Sequence, residues 1–403
     1  MRKWTTKIIS LIAAVALLAG CGSSGSSGSG GASDAANGAS GGENGASSAG
    51  EIRFAFTTPL TGDKAEYGFH LKNAADIAAE KINASGGING KKLVIDYHDS
   101  KGDPKESAEI ARKVTQNQNY IAALGDFSSS SAMAAAPIYE EAKMVHLSPT
   151  ASNPDFVKMG DYQYAMYGTQ EDDAPFVAQY IIQKYLGLDS VALIYFNTDW
   201  GLSALKYFED RAKQIGLNIT AKEPIAEGEK DFTAILTKIR QTNPDIIYMM
   251  ANASEVANAT IQARQSGWDI KIIPSSSAVT DQLIEMLGEY AEGLITNQVY
   301  LLSEKDQAVW EYAQTFEQKT GVPITYFSLL GHDAVYALAT AAANAGDQLN
   351  RQTLKEELDK LNIQTLLGKL AFDEDGKVRR QYKIVGYQNG QWVELAGYEF
   401  MEQ

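Results

Sequence analysis

The residue types best suited to holding a small polar ligand fall in two clusters. Ser128, Ser129, Ser130 and Ser131 follow a short apolar run at 120–124, and Ser148, Thr150, Ala151, Ser152 and Asn153 follow another at 145–147. Hydroxyls at the start of a helix stand beside backbone N–H groups that have no partner inside the helix, and such a place binds a carboxylate. Ser, Thr and Asn also cap helices at strand-to-helix loops everywhere, so either cluster alone reads as capping. Two of them after neighbouring strands point to binding, because ligands of open α/β sheets sit beyond the carboxyl ends of the strands.

Chemistry beyond binding finds little support. No GxSxG or SxxK setting surrounds the serines, and no histidine is near them in sequence. The four histidines, His70, His98, His146 and His332, lack HxH, HExxH or Cys/His spacing. No metal and no cofactor is therefore expected, and each histidine reads as a surface or helix-end residue. The run Gly86-Gly87-Ile88-Asn89-Gly90 precedes Lys91 and Lys92 without a following Ser or Thr, and it leads into a strand, so it reads as a turn and not as a phosphate loop. An enzyme is not expected. A formal net charge of -15 also argues against a nucleic-acid partner, since attraction to phosphates needs a basic face.

The elements that would position the two clusters alternate. Apolar runs at 52–56, 93–97, 120–124, 145–147, 191–196, 246–250 and 270–273 have the continuous character of strands buried on both faces. Between the first two, Leu71, Ala74, Ala75, Ala78 and Ile82 share one helical face. The pattern is that of repeated βαβ units and a mostly parallel sheet. Near the end it changes, because segments 382–387 and 392–395 flank Gln388-Asn389-Gly390, a hairpin signal. With 403 residues, two α/β domains are the natural expectation.

The first fifty residues are of another kind. Arg2, Lys3 and Lys7 precede an apolar run at 8–18, then Ala19, Gly20 and Cys21. This reads as a secretory signal over 1–20, and Leu18-Ala19-Gly20-Cys21 looks like a lipobox whose cysteine carries the lipid. Cys21 is the chain's one cysteine. No later run approaches the roughly 20 apolar residues of a membrane span. Residues 22–50 hold only Gly, Ser, Ala, Asn, Asp and Glu, the composition of a flexible tether with a mean reach of about 30 Å. The expected location is extracytoplasmic, on the membrane through Cys21.

From residue 51 onward the chain resembles the type I periplasmic binding proteins of the branched-chain amino-acid (Leu/Ile/Val) group. The resemblance is carried by Pro59-Leu60-Thr61-Gly62 with Tyr67-Gly68, by Asn83-Ala84-Ser85-Gly86-Gly87-Ile88-Asn89-Gly90, by Gly125 with the serines, by Leu147-Ser148-Pro149, by Asn153-Pro154 and by Ala291-Glu292-Gly293. It implies two lobes, each a mostly parallel sheet flanked by helices, joined by three crossovers near 168–170, 297–300 and 369–372. One lobe would hold 51–168 and 300–369, the other 169–299 and 370–403. It also implies that Ser129 and the loop of Thr150, Ala151 and Ser152 hold a ligand carboxylate, that Tyr67 and Trp200 form aromatic walls, and that Asn252 and Ser276 complete the site. Ser276 stands where the amino-acid binders carry a carboxylate for the ligand's ammonium, so either Asp126, Asp199 or Glu255 substitutes or the ligand lacks an amine. The implied partners are a small carboxylate or amino acid and an ABC permease with its ATPase, bound by a monomer; a ligand sensor or a structural lipoprotein is the alternative.

Overall fold

The computed structural model describes residues 50–303 and 305–397. The expected signal segment, Cys21 and most of the tether lie outside them.

Five strands, β1 (Glu51–Thr58), β2 (Lys92–Asp99), β3 (Tyr120–Leu124), β4 (Val145–Ser148) and β5 (Gln163–Ala165), form a parallel sheet in the order β2-β1-β3-β4-β5. A second parallel sheet runs β7-β6-β8-β9, from β6 (Ser190–Phe196), β7 (Asn218–Ile225), β8 (Ile246–Met250) and β9 (Ile272–Pro274). The expected two-lobed α/β architecture is present, one lobe about each sheet. The continuous apolar character of β6 and β8 follows from their position. Ala192, Ile194, Phe196, Ile247 and Met249 enter one core, while the alternate residues Val191, Leu193, Ile246, Tyr248 and Met250 enter another on the opposite face.

The remaining strands are antiparallel. β10 (Ile295–Gln298) pairs with β13 (Lys383–Gln388), which forms the expected hairpin with β14 (Gln391–Ala396); β11 (Asn362–Thr365) and β12 (Gly368–Ala371) make a separate two-stranded ribbon. Asn389 and Gly390 both have positive φ, 53° and 80°, as a two-residue hairpin turn requires. Residues 369–372, read from sequence as the third crossover, thus largely belong to the ribbon. The chain then bridges Ala165 through Lys377 at the edge of the first sheet, so its return to the second lobe falls between Val378 and Lys383.

Three of the four histidines depart from their expected surface or helix-end positions. His70 and His146 are almost fully buried, bonded through Nδ1 to Ser328 Oγ at 3.0 Å and Gln163 Oε1 at 2.8 Å. His332 is buried as well, against Asp333. Neutral imidazole is a compact ring that fills a core when one nitrogen finds a partner, and a pattern search for metal spacing does not detect that use. Burial lowers the pKa of His70 and of His146 to about 4. An unfolded histidine titrates near 6.5. The unfolded chain therefore binds more protons between those values, and the stability these residues contribute is complete above about pH 6.5 and declines as pH falls toward 4. Each is expected to account for about 2 kcal/mol of loss between pH 7 and pH 5. Urea unfolding of His70→Phe at both pH values checks this: the variant should lose less stability on acidification than the unmodified protein.

Candidate ligand-binding site

The carboxyl ends of both parallel sheets meet a cavity of about 150 Å³. Three helices begin at its wall. Helix Ser129–Glu141 follows β3, helix Asp199–Ile215 follows β6 and helix Ala253–Gln265 follows β8, and Ser128, Ser129, Ser130, Thr198, Trp200 and Asn252 from their starts line the cavity. Ser128 and Thr198 cap their helices, accepting from the N–H groups of Ser131 and Gly201. The capping reading and the binding reading of the serine cluster therefore both apply, to different serines.

Ser129 is buried, and its Oγ accepts from the backbone N–H groups of both Ser152 and Asn153, each at 3.2 Å. With its lone pairs so engaged, the hydroxyl has its proton left to give. Ser152 Oγ likewise accepts from Gln170 Nε2 at 3.2 Å. Thr150 is the reverse case: its hydroxyl donates to the Phe127 carbonyl at 2.7 Å and offers only an acceptor. The N–H groups of Thr150 and Ala151 turn inward to Ser148 Oγ, and Ala151 is fully buried. The loop thus presents hydroxyls to the cavity, with its amides already used.

Of the other expected residues, Trp200 and Asn252 line the cavity, and Asn252 makes no side-chain capping bond. Tyr67 stands behind the wall. Its ring stacks on Phe127 at 4.5 Å and meets Phe327 edge-on at 4.9 Å, and its hydroxyl accepts from Ala253 N at 3.3 Å across the cleft. Phe127 and Phe327 are the aromatics that reach the cavity there. Ser276 is also one layer back; its neighbour Ser277 lines the cavity, while Ser276 Oγ donates to Asp173 Oδ2 at 2.9 Å. Asp126 is buried against Ser107, and Glu255 accepts from Gly228 N and Ser254 Oγ, so neither lines the cavity.

Sequence reasoning missed Phe127, Tyr167, Phe196, Phe327, Lys64 and Glu227 on the wall. Phe127 immediately precedes the serine cluster, where an aromatic between Asp126 and Ser128 was a usable signal. Phe327 comes from helix Tyr326–Ala345, distant in sequence, and carried none. Lys64 and Glu227 are the charged residues of the wall, paired at 2.8 Å from opposite lobes. Asn153 Nδ2 also donates to the Asp199 carbonyl at 2.9 Å, so the lobes are in contact around the cavity. Lys64→Met should speed ligand dissociation about fivefold by removing one cross-cleft tie, with association little changed; stopped-flow kinetics would reveal it.

Each lobe contributes an aromatic followed by glycine in the first turn of a helix: Tyr67-Gly68 in helix Ala65–Ala84 and Trp200-Gly201 in helix Asp199–Ile215. A Cβ on Gly68 would fall 1.7 Å from the Pro59 carbonyl oxygen, and one on Gly201 would fall 2.1 Å from that of Phe196. The glycines let each helix begin close against the end of its strand, which sets the aromatic at the cleft. Residues 51–391 match the profile of a family described as periplasmic binding protein. The chain belongs to that family. It is a family of binding proteins and not of enzymes.

This periplasmic binding protein is 27% identical over 360 residues to the Leu/Ile/Val-binding protein homolog 1 of Brucella abortus, covering 89% of this chain and 95% of that protein. It superposes on a leucine binding protein from Thermotoga maritima with a TM-score of 0.79 at 23% identity, covering 86% of this chain and 99% of that one. A solute binding protein of an ABC transporter from Rhodopseudomonas palustris, in complex with 3,4-dihydroxybenzoic acid, gives 0.79 at 20% identity, covering 86% and 96%. Both structural likenesses concern the fold.

Proposed function

We propose that this chain is the extracytoplasmic substrate-binding component of an ABC importer, tethered through a lipid on Cys21, that captures a branched-chain or related amino acid by closure of its two lobes. The observation that carries the reading is the pair of hydroxyls, Ser129 and Ser152, which accept from backbone and amide N–H groups, twice and once respectively, and have their protons left for a carboxylate. Trp200, Asn252 and Thr198 come from the other lobe, so a ligand touching both sides favours the closed state by its differential affinity. The relationship to the Brucella protein supports an aliphatic amino acid.

A second reading is an amine-free aromatic acid. Phe127, Tyr167, Phe196, Trp200 and Phe327 line the cavity, and among the described residues the one carboxylate on its wall, Glu227, is already paired with Lys64. The Rhodopseudomonas protein's dihydroxybenzoate fits that description. Thermal melting of the protein against L-leucine, L-isoleucine, L-phenylalanine, benzoate and urea separates the readings, because a ligand held only by the native state raises the midpoint. Leucine-like amino acids are expected to raise it. A shift with benzoate alone would transfer the assignment to aromatic acids, and no shift with any compound would end the capture reading.

A further inference from the structure

We infer that Asp173 is the counter-charge for a ligand ammonium, placed one layer behind the cavity wall and coupled to it through Ser276 and Tyr167, so that the site selects an α-amino acid over its amine-free counterpart. The inference rests on the capture reading above and names its ligand class. Asp173 is almost fully buried, and its carboxylate accepts from Asn297 Nδ2 at 2.5 Å and Ser276 Oγ at 2.9 Å, with Gln170 a further favourable side-chain partner. All three are neutral. Asp173 forms no ion pair among the described residues; Arg380, a buried cation near the same crossovers, donates instead to the Met166 carbonyl. A buried carboxylate without a cation is costly, and such groups concentrate where function uses the charge.

The directions of the hydrogen bonds link this charge to the cavity. The single proton of Ser276 goes to Asp173, so in the 3.1 Å contact between Ser276 Oγ and Tyr167 Oη the phenol is the donor. Tyr167 lines the cavity and therefore has only lone pairs to offer there, as does Thr150, whose proton goes to the Phe127 carbonyl. Ser129 and Ser152 have protons to give. Among these four residues two donate and two accept, a set that complements a zwitterion. An acid without an amine would satisfy the donors and leave the acceptors and Asp173 without a counterpart. Burial raises the Asp173 pKa, and the Asn297, Ser276 and Gln170 donors oppose that rise in part, leaving a carboxylate that a neighbouring cation would favour in its charged form.

Calorimetric titration of the full chain and its Asp173→Asn and Ser276→Ala variants with two matched pairs tests the inference: L-leucine against 4-methylpentanoate, and L-phenylalanine against 3-phenylpropanoate. The unmodified protein should prefer the amino acid of the better-bound pair by about 100-fold or more. Asp173→Asn should lose at least about tenfold on that amino acid, roughly 1.4 kcal/mol, while its deaminated partner changes by less than about twofold. Ser276→Ala retains the carboxylate but cuts its link to Tyr167, and should show a smaller loss with the same selectivity, which keeps the test decisive where Asp173→Asn does not fold. Equal losses on both members of a pair, or no loss on the amino acid, would overturn the role of Asp173. Equal affinity of the unmodified protein for both members would also overturn it and leave carboxylate capture standing. Binding of none of the four compounds, with no melting shift by benzoate or urea, would bring down both readings.

Discussion

Ser129→Ala is expected to weaken binding of the ligand by about 10–100-fold, because a hydrogen bond to a charged group is worth about 1.5–3 kcal/mol. The same change removes the acceptor of two buried N–H groups, those of Ser152 and Asn153. It should therefore also cost about 2 kcal/mol of stability. From sequence this residue reads as a helix-start hydroxyl that holds a ligand carboxylate; the bridge it makes between the two polar clusters gives it a structural role as well. Calorimetry with ligand and urea unfolding without it separate the two losses. Unchanged affinity in a folded Ser129→Ala protein would remove this residue from the site, while unchanged stability would show that water replaces its oxygen.

Gly201→Ala is expected to damage the second lobe more severely. The added methyl would lie 2.1 Å from the Phe196 carbonyl oxygen and 2.9 Å from its carbon, and both belong to the backbone at the end of β6. Neither can rotate away, so the helix Asp199–Ile215 must withdraw from the strand, at a cost of about 3 kcal/mol or more. Trp200 would move with it, since it precedes the glycine in the same turn and lies against Phe196 at 6.2 Å between ring centroids. The expected result is a lower urea midpoint together with affinity reduced more than about tenfold. Gly68→Ala in the first lobe, with its Cβ 1.7 Å from the Pro59 carbonyl oxygen, should match it in stability loss. An unaltered midpoint in either variant would show that the close approach of helix and strand is not obligatory.

These two predictions draw on different amounts of sequence information. The glycines follow aromatics at corresponding helix starts, and Tyr67-Gly68 was already among the residues that carry the family resemblance. The steric reason for them is invisible until Pro59 and Phe196 are seen above them. Runs of consecutive apolar residues marked β1, β3, β4, β6 and β8 because those strands are covered on both faces, and the hairpin of β13 and β14 was legible from Asn389-Gly390. The strand β7 was missed because its sequence, Asn218–Ile225, carries lysine and glutamate and alternates only weakly at the sheet edge. β11 and β12 were missed for a related reason, as a short and largely exposed ribbon needs few apolar residues.

That this chain builds two parallel sheets, and that polar residues gather at the carboxyl ends of neighbouring strands, is legible residue by residue along the chain. Both properties are local: a doubly covered strand must be apolar along its length, and a helix start wants hydroxyls and amides. Folding alone settles which of those hydroxyls have a proton to give and which an oxygen to offer, because that depends on partners twenty or more residues away, as with Ser129 and Asn153 or Thr150 and Phe127. It likewise decided that Ser276 stands between the cavity wall and the buried Asp173, 103 positions earlier in the chain. No spacing rule reaches across such a distance, since the two residues are brought together by the packing of the helix Gln170–Phe176 against the end of β9 and not by the geometry of any single element.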